Sequence, residues 1–374
     1  MDCPSGSSRA DVHARLRLGT HPMRRMKPSL SRPRRLKPWR RRDALGRAAR
    51  WVLRRRHVLM PTASFLAGCA SYLLVERSAA LAQGVALMVL ASWIWILAEP
   101  LLSGLLHRFS KGRVSPALLR MVTQSLHQET LFFALPFVWA ATHWQSGQPV
   151  FLTLVILAAL ATTIDRIYLD RICAVPWRAL AFQAFCAFVA ALVVVPLALH
   201  WDTQQALRMA GGLMLIGLLP ALIQALRHLP PRRWSTATLA LAALLGLGWL
   251  LRGGIPPVGI QSQQMRLTEA VSATLVPGAA IERITAEELR TSGMHAFASV
   301  RAPLGLRQPL VFEWRRNGQL VDRIPTTIEG GREAGFRTYS RKQHFPHDAS
   351  GRWRIELRTA DGQLVARADL QVSA

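Results

Sequence analysis

Cysteine is scarce and badly placed for chemistry. Only four occur, Cys3, Cys69, Cys173 and Cys186, none with the close pairing of a zinc or redox motif and none after Cys186. A disulfide framework and a metal centre are therefore not expected. Charge is thin as well, at 18% of the chain against 51% hydrophobic residues. Apolar residues in such proportion, gathered into blocks, exclude one ordinary soluble domain and point to an integral membrane protein. Catalytic signatures are missing too. The chain has no phosphate loop of Gly, Lys and Ser or Thr, no dinucleotide fingerprint, no Gly-x-Ser-x-Gly elbow and no His-Glu-x-x-His helix. No cofactor follows from the sequence, and an enzyme is the less favoured reading.

The charge that is present is uneven. Residues 1–57 carry 18 Lys and Arg against 3 Asp and Glu, residues 58–261 carry 13 against 6, and residues 262–374 carry 16 against 12. The basicity belongs to the N-terminal tail, which is rich in Arg, Pro and Ser and lacks an apolar period. Residues 1–57 thus read as a disordered, cytoplasmic tail suited to anionic lipid headgroups. No specific nucleic acid is expected as a partner.

Residues 58–251 form the apolar block, a polytopic helical domain. At roughly 20 residues per crossing, it reads as a bundle of about seven transmembrane helices. The spans fall near 58–75, 79–105, 129–146, 149–165, 178–200, 206–227 and 234–251. Alternate loops are basic, with Arg108, Lys111, Arg113 and Arg120 in one, Arg166 and Arg171 in another, and Arg232 and Arg233 in a third. The intervening loops are short and nearly neutral. The positive-inside rule then keeps the N-terminus in the cytoplasm, and an odd span count sends the C-terminus outside. Spans three and four are short enough to be a re-entrant hairpin, which leaves that parity unchanged. Pro136, Pro196 and Pro220 are candidate kinks. Ionisable residues in such a block are functional candidates. Glu99, His127, Glu129, Asp165 and Arg166 fall at about one depth on the cytoplasmic side, where they could line a polar pocket or simply reach water.

After a linker at 252–264 the pattern changes to period-two alternation with turn signals, and 265–374 reads as an all-β domain. An Asp361-Gly362 turn sets Leu357 opposite Ala366 and Trp353 opposite Leu370. For the hairpin at Asn317-Gly318, a two-residue turn would oppose Glu313 to Asp322, so a three-residue loop placing Trp314 opposite Leu320 is preferred. Further strands are expected near 267–275, 294–301 and 336–343, with a short helix or crossover over 282–290. About seven strands suggest an immunoglobulin-like sandwich. Arg337, Tyr339, Arg341 and Lys342 make a basic, aromatic strand that could meet an acidic glycan or lipid headgroup, or be a solvated face. His344, His347 and Asp348, with His295, form a weaker candidate for a metal, better read as a solvated turn.

Several segments carry a resemblance. Phe336-Arg337-Thr338-Tyr339-Ser340-Arg341-Lys342, Gly351-Arg352-Trp353-Arg354-Ile355 and Asp361-Gly362-Gln363-Leu364 resemble a bacterial group of uncharacterised inner-membrane proteins whose C-terminal part is called domain of unknown function 2914. Gln128 to Phe137 and Ile255-Pro256-Pro257 are similar to the same group's membrane part. One departure stands out: that group often has a His two residues before the Trp that here is Trp314, and this chain has Phe312. The resemblance implies architecture and no activity. Two function classes remain. One is a membrane anchor that displays a periplasmic β domain to an envelope glycan, lipid or protein. The other is a membrane-embedded enzyme or carrier using Glu99, Glu129 and Asp165.

Overall fold

The computed structural model describes residues 116–228, 230, 234–332 and 334–374, with scattered positions between 59 and 84. The tail at 1–57, most of expected spans one and two with Glu99, and the basic residues Arg108, Lys111, Arg113, Arg232 and Arg233 lie outside the described residues.

Among the described residues from 116 onward, five long helices precede the strands: α1 (Pro116–Ala141), α2 (Gln148–Thr163), α3 (Pro176–Leu199), α4 (Thr203–His228) and α5 (Trp234–Leu250). Their boundaries follow local chemistry. Val175 is extended because the following Pro disfavours helix before it, and Pro176 then opens α3 where its missing N–H costs nothing. His200 ends α3 in the left-handed region. α1 begins well before the expected span, since the stretch from Pro116 to Gln128, expected as loop, is helical. Pro136, Pro196 and Pro220 all sit inside continuous helices.

Two of these helices, α3 and Thr203–Gln224 of α4, are long and apolar enough to cross a membrane. A third span results if α2 and Asp165–Ile172 count as one broken span bent by 99°. The break lies at Ile164, whose extended backbone interrupts the helix before a short turn at Asp165–Ile167 and a π-turn at Tyr168–Ile172. The described residues therefore do not reproduce a bundle of seven full spans. At about 1.5 Å per residue, α2 is only about 24 Å long before it turns.

Packing ranks the helices. The apolar window of α3 is 72% buried and that of α4 only 17%, so α3 is the centre of the bundle and α4 its flank. Val189 and Val193 of α3 meet Leu131 and Val138 of α1 and Leu152 and Val155 of α2 in one core. Small residues permit close crossings, as in membrane bundles. A Cβ at Gly217 would lie 3.2 Å from the Ala184 Cβ, and one at Gly68 would lie 2.8 Å from the Phe133 carbonyl oxygen.

From Gln261 the chain is a β-sheet domain of eight strands: β1 (Gln261–Thr268), β2 (Arg283–Thr285), β3 (Met294–Arg301), β4 (Arg307–Arg316), β5 (Gln319–Glu329), β6 (Phe336–Lys342), β7 (Gly351–Thr359) and β8 (Leu364–Ser373). A short helix, α6 (Ala286–Ser292), starts with a capping box between Thr285 and Glu288. One sheet has the order β1-β3-β6, the other β2-β8-β7-β4-β5. They share a core in which Ala296, Ala298 and Val300 face Phe312, Trp314, Ile355 and Leu357. Trp314 Nε1 donates to Ser340 Oγ at 3.0 Å across the sheets, and Phe345 lies edge-on to Trp314 and Trp353.

Three expectations change here. The first strand is Gln261–Thr268, so the polar stretch read as linker is already paired with β3, and Glu269 onward loops back. In the last hairpin Trp353–Leu370 and Leu357–Ala366 pair as expected, yet Thr359 N–H donates to the Gln363 carbonyl across a longer loop and a bulge restores the register. In the other hairpin Asn317 and Gly318 both have positive φ, as a two-residue turn requires. A bulge between Trp314 and Arg315 then shifts the register so that Glu313 faces Arg323 instead of Asp322. The repulsion is avoided by the bulge and not by a longer loop.

Candidate functional site

The β domain sits on three helix-end segments, and glutamines make the joints. Gln148 Nε2 donates to the Leu364 carbonyl (2.8 Å), the Thr203 N–H donates to Gln308 Oε1 (2.8 Å), and Gln363 Nε2 donates to the Ile255 carbonyl (3.0 Å). All three glutamines are buried. Arg367 adds a bond to the Gln145 carbonyl, and Gln204 one to Asp361. Gly259, at φ 101°, lets the chain pass Pro196, where a Cβ would come within 3.0 Å. A side-chain amide suits this place because it satisfies orphan backbone groups at helix ends without burying a charge.

The outer faces of the two sheets differ in charge. On the β4, β5, β7, β8 sheet, Glu313 and Glu356 stand directly opposite each other. Arg315 (2.7 Å) and Arg323 (2.6 Å) bind Glu313, and Arg358 and Arg367 (2.7 Å each) bind Glu356. Asp369 holds Arg354 and Arg352 at 3.1 and 3.3 Å. Burial works against ionisation of Glu356, but hydrogen bonds from Arg358 and Arg367 hold its carboxyl below the usual carboxylate range. Glu313 behaves alike through Arg315 and Arg323.

The β1, β3, β6 sheet shows the opposite. Alternation turns Gln264, Arg266 and Thr268 of β1, His295, Phe297 and Ser299 of β3, and Arg337, Tyr339 and Arg341 of β6 to the outer face. Register sets Arg266, Phe297 and Tyr339 in one row, and Gln264, Ser299 and Arg337 in the next. Between them lies a pocket of about 540 Å³ lined by Gln264, Arg266, Pro277, Phe297, Ser299 and Arg337, among others. Phe297 is its floor, fully buried. Ser299 Oγ donates to the Ala334 carbonyl (2.9 Å) and pins one wall, while the Val271–Pro277 bridge shapes the other. Among the described residues, Arg266, Arg337 and Arg341 have no carboxylate partner. The Gln264 amide oxygen, suitably turned, faces the Arg266 guanidinium.

Of the four residues expected on this strand, Arg337, Tyr339 and Arg341 share the face. Lys342 does not: one residue on, it points to the other side, where Nζ meets Asp322 Oδ2 at 3.0 Å beside Phe345. Arg266 was missed because the strand carrying it was expected to start one residue later. The weak signal was alternation itself, Gln264, Arg266 and Thr268 against Met265 and Leu267.

The residues expected to line a membrane pocket are partly gathered. His127 is buried, with Nδ1 2.9 Å from the Tyr168 hydroxyl and its ring edge-on to Tyr168 and Phe182. Gln124 Nε2 donates both to Asp165 Oδ1 (2.8 Å) and to the Thr162 carbonyl (3.0 Å). Gln124 and Tyr168, unremarkable in the sequence, are thus what reach Asp165 and His127. They clamp the break at Ile164 to α1. Arg166 is exposed and Glu129 half-buried, and Glu99 lies outside the described residues.

The loop at 344–348 is not gathered. Asp348 binds Arg316 (2.8 Å) and the Ser350 N–H. His295 Nδ1 donates to the Glu269 carbonyl (2.8 Å) and stacks near Tyr339. Among the described residues no three His, Cys, Asp or Glu side chains converge as a metal site would need. Phe312 is fully buried on the core face beside Trp314, so the position where the similar group carries a His points inward here.

Two family models match this chain. The first, a family of unknown function called DUF5924, covers residues 40–296, well over half of the chain. The chain belongs to this family. The second, a protein of unknown function called DUF2914, covers residues 307–372 and coincides with β4–β8. The DUF5924 match ends inside β3, so the two matches divide one folded β domain. β1 pairs with β3, β3 pairs in turn with β6 of the DUF2914 part, and β2 pairs with β8. No curated protein matches the chain.

Proposed function

We propose that this DUF5924 member is a multi-pass protein of a bacterial inner membrane that holds an immunoglobulin-like β domain over the periplasmic face, where it binds an acidic envelope component. The observation that carries the reading is the junction. Among the described residues, the hydrogen bonds that fasten the β domain to the helices come from loops that the positive-inside rule puts outside, the segments at 143–148, 200–205 and 252–257.

Aromatic residues support the same placement. Trp139, Trp144, Trp201 and Trp249 are exposed at the helix ends next to the β domain, and Trp177 and Trp234 are exposed at the opposite ends. Tryptophans ring both interfaces of membrane proteins, because the indole has an apolar body and one polar N–H. Between them the helices present apolar side chains outward, such as Leu154, Leu157 and Leu160 on α2 and Ile216, Leu219 and Ile223 on α4. On this reading the segment Asp165–Ile172 lies along the cytoplasmic interface with Arg166 and Arg171.

The strand order supports the immunoglobulin-like assignment. Three strands in the order first, third and sixth, facing a sheet in which the seventh lies between the fourth and the eighth, is the Greek-key arrangement of such sandwiches. The outward cations Arg266, Arg337 and Arg341, with Tyr339, are the binding face. A fusion of alkaline phosphatase and, separately, of a cytoplasm-only fluorescent protein to Ala374 tests the placement. Phosphatase activity is expected; fluorescence instead would move the β domain to the cytoplasm and end the envelope reading.

A further inference from the structure

The binding face is not a uniform basic surface. Its two pocket arginines come from strands on either side of β3, offset by one row. With strands about 4.8 Å apart and a rise of about 3.4 Å per residue, their Cα atoms lie about 12 Å apart, a span that two extended arginine side chains close onto one small group. Guanidinium pairs match the geometry of tetrahedral oxyanions, since each presents parallel N–H donors to two oxygens. Gln264, beside Arg266, and the Ser299 hydroxyl add neutral polar atoms at the same rim. The floor, Phe297, excludes water from beneath, and Ser299 and the Val271–Pro277 bridge hold the walls. Beyond the pocket, Tyr339 is 44% exposed and offers a ring face, with Arg341 one further row along.

We propose that the pocket between Arg266 and Arg337 is a phosphate-binding site, taking the phosphoryl group of a saccharide-sized molecule whose remainder lies over Tyr339. A volume of about 540 Å³ accommodates a ligand of that size. The two arginines place two positive charges against a phosphate monoester or diester, and no carboxylate among the described residues competes for them. His295 adds no charge near neutral pH: burial lowers its pKa, as does Arg341, and its bond to the Glu269 carbonyl opposes them without reversing the shift. The assignment rests on the reading of the β domain as a binding module and names the ligand chemistry of that module.

The test is a titration of glycerol phosphate into the full chain held in nanodiscs of zwitterionic lipid, with glycerol as the uncharged control. Saturable binding of glycerol phosphate and none of glycerol is expected. R266Q and R337Q should each weaken it at least tenfold, whereas K342Q, which removes a cation committed to Asp322, should leave it unchanged. Repeating the titration in nanodiscs of phosphatidylglycerol separates sources. Competition there assigns the phosphate to a lipid headgroup, and its absence assigns it to a soluble or polymeric phosphate. No binding by chain that unfolds with its normal thermal transition would overturn the site, as would equal losses from R337Q and K342Q. The display reading fails separately, through a cytoplasmic C-terminus, and that result leaves this titration untouched.

Discussion

The two outer faces of the β domain are built from the same residue types to opposite ends. On the larger sheet, two buried glutamates and Asp369 hold six arginines. On the smaller sheet, Arg266 and Arg337 line a pocket, Arg341 lies beyond it on the same face, and none of the three meets a carboxylate among the described residues. Charge alone therefore does not mark a site. A surface rich in arginine is structural where cross-strand register supplies the counter-charge, and available for a ligand where it does not.

The largest effect that sharpens this contrast is expected from Glu356→Gln. It strips Arg358 and Arg367 of a buried partner and should lower stability by about 3 kcal/mol, measured by thermal unfolding of the detergent-solubilised chain. An unchanged midpoint would show that the lattice is decorative. The same carboxylates set an acid limit. Glu313, Glu356 and Asp369 have folded pKa values below their ordinary ones, held down by their arginines against burial. Their contribution is thus fully present above the ordinary carboxylate range, near pH 4.3 and higher, and is lost as pH falls through the lowered folded values. Unfolding midpoints should hold from pH 7 to 5 and drop steeply below 4, with a shallower drop in E356Q.

A smaller effect is expected at the junction. Gln148→Ala leaves the Leu364 carbonyl unpaired in a buried place and should cost about 1–2 kcal/mol. Proteolysis at the 252–260 segment should speed up in parallel, and an unaltered cleavage rate would mean that the joint does not hold the domain. The smallest is on the cationic face. Arg337→Gln breaks no ion pair and should shift stability by less than about 0.5 kcal/mol while weakening anion binding at least tenfold. A loss as large as that of E356Q would make Arg337 structural and erase the difference between the faces.

Much of this was legible in residues. Period-two alternation located the β domain and put Trp353, Leu357, Ala366 and Leu370 on one face, which is the core face, because one buried face forces that spacing. The like-charge clash between Glu313 and Asp322 was also a sound warning. What it could not convey was the remedy, since a bulge and a longer loop both relieve the clash and differ only in how the strands twist. Lys342 was grouped with Arg341 by adjacency, although alternation already sent it to the opposite side, toward Asp322. In the bundle, His127 and Asp165 were singled out for their charge, while their partners Tyr168 and Gln124 had none to attract notice.

The sequence by itself determined the apolar block, its polar and aromatic edges, the β character of the C-terminal region and the excess of arginine over acid there. These are local quantities, set by composition and period. Only the tertiary structure decided which arginines are neutralised and which are left around a pocket. The reason is that Arg266 and Arg337 lie 71 residues apart and become neighbours only because β3 pairs with β1 on one side and β6 on the other.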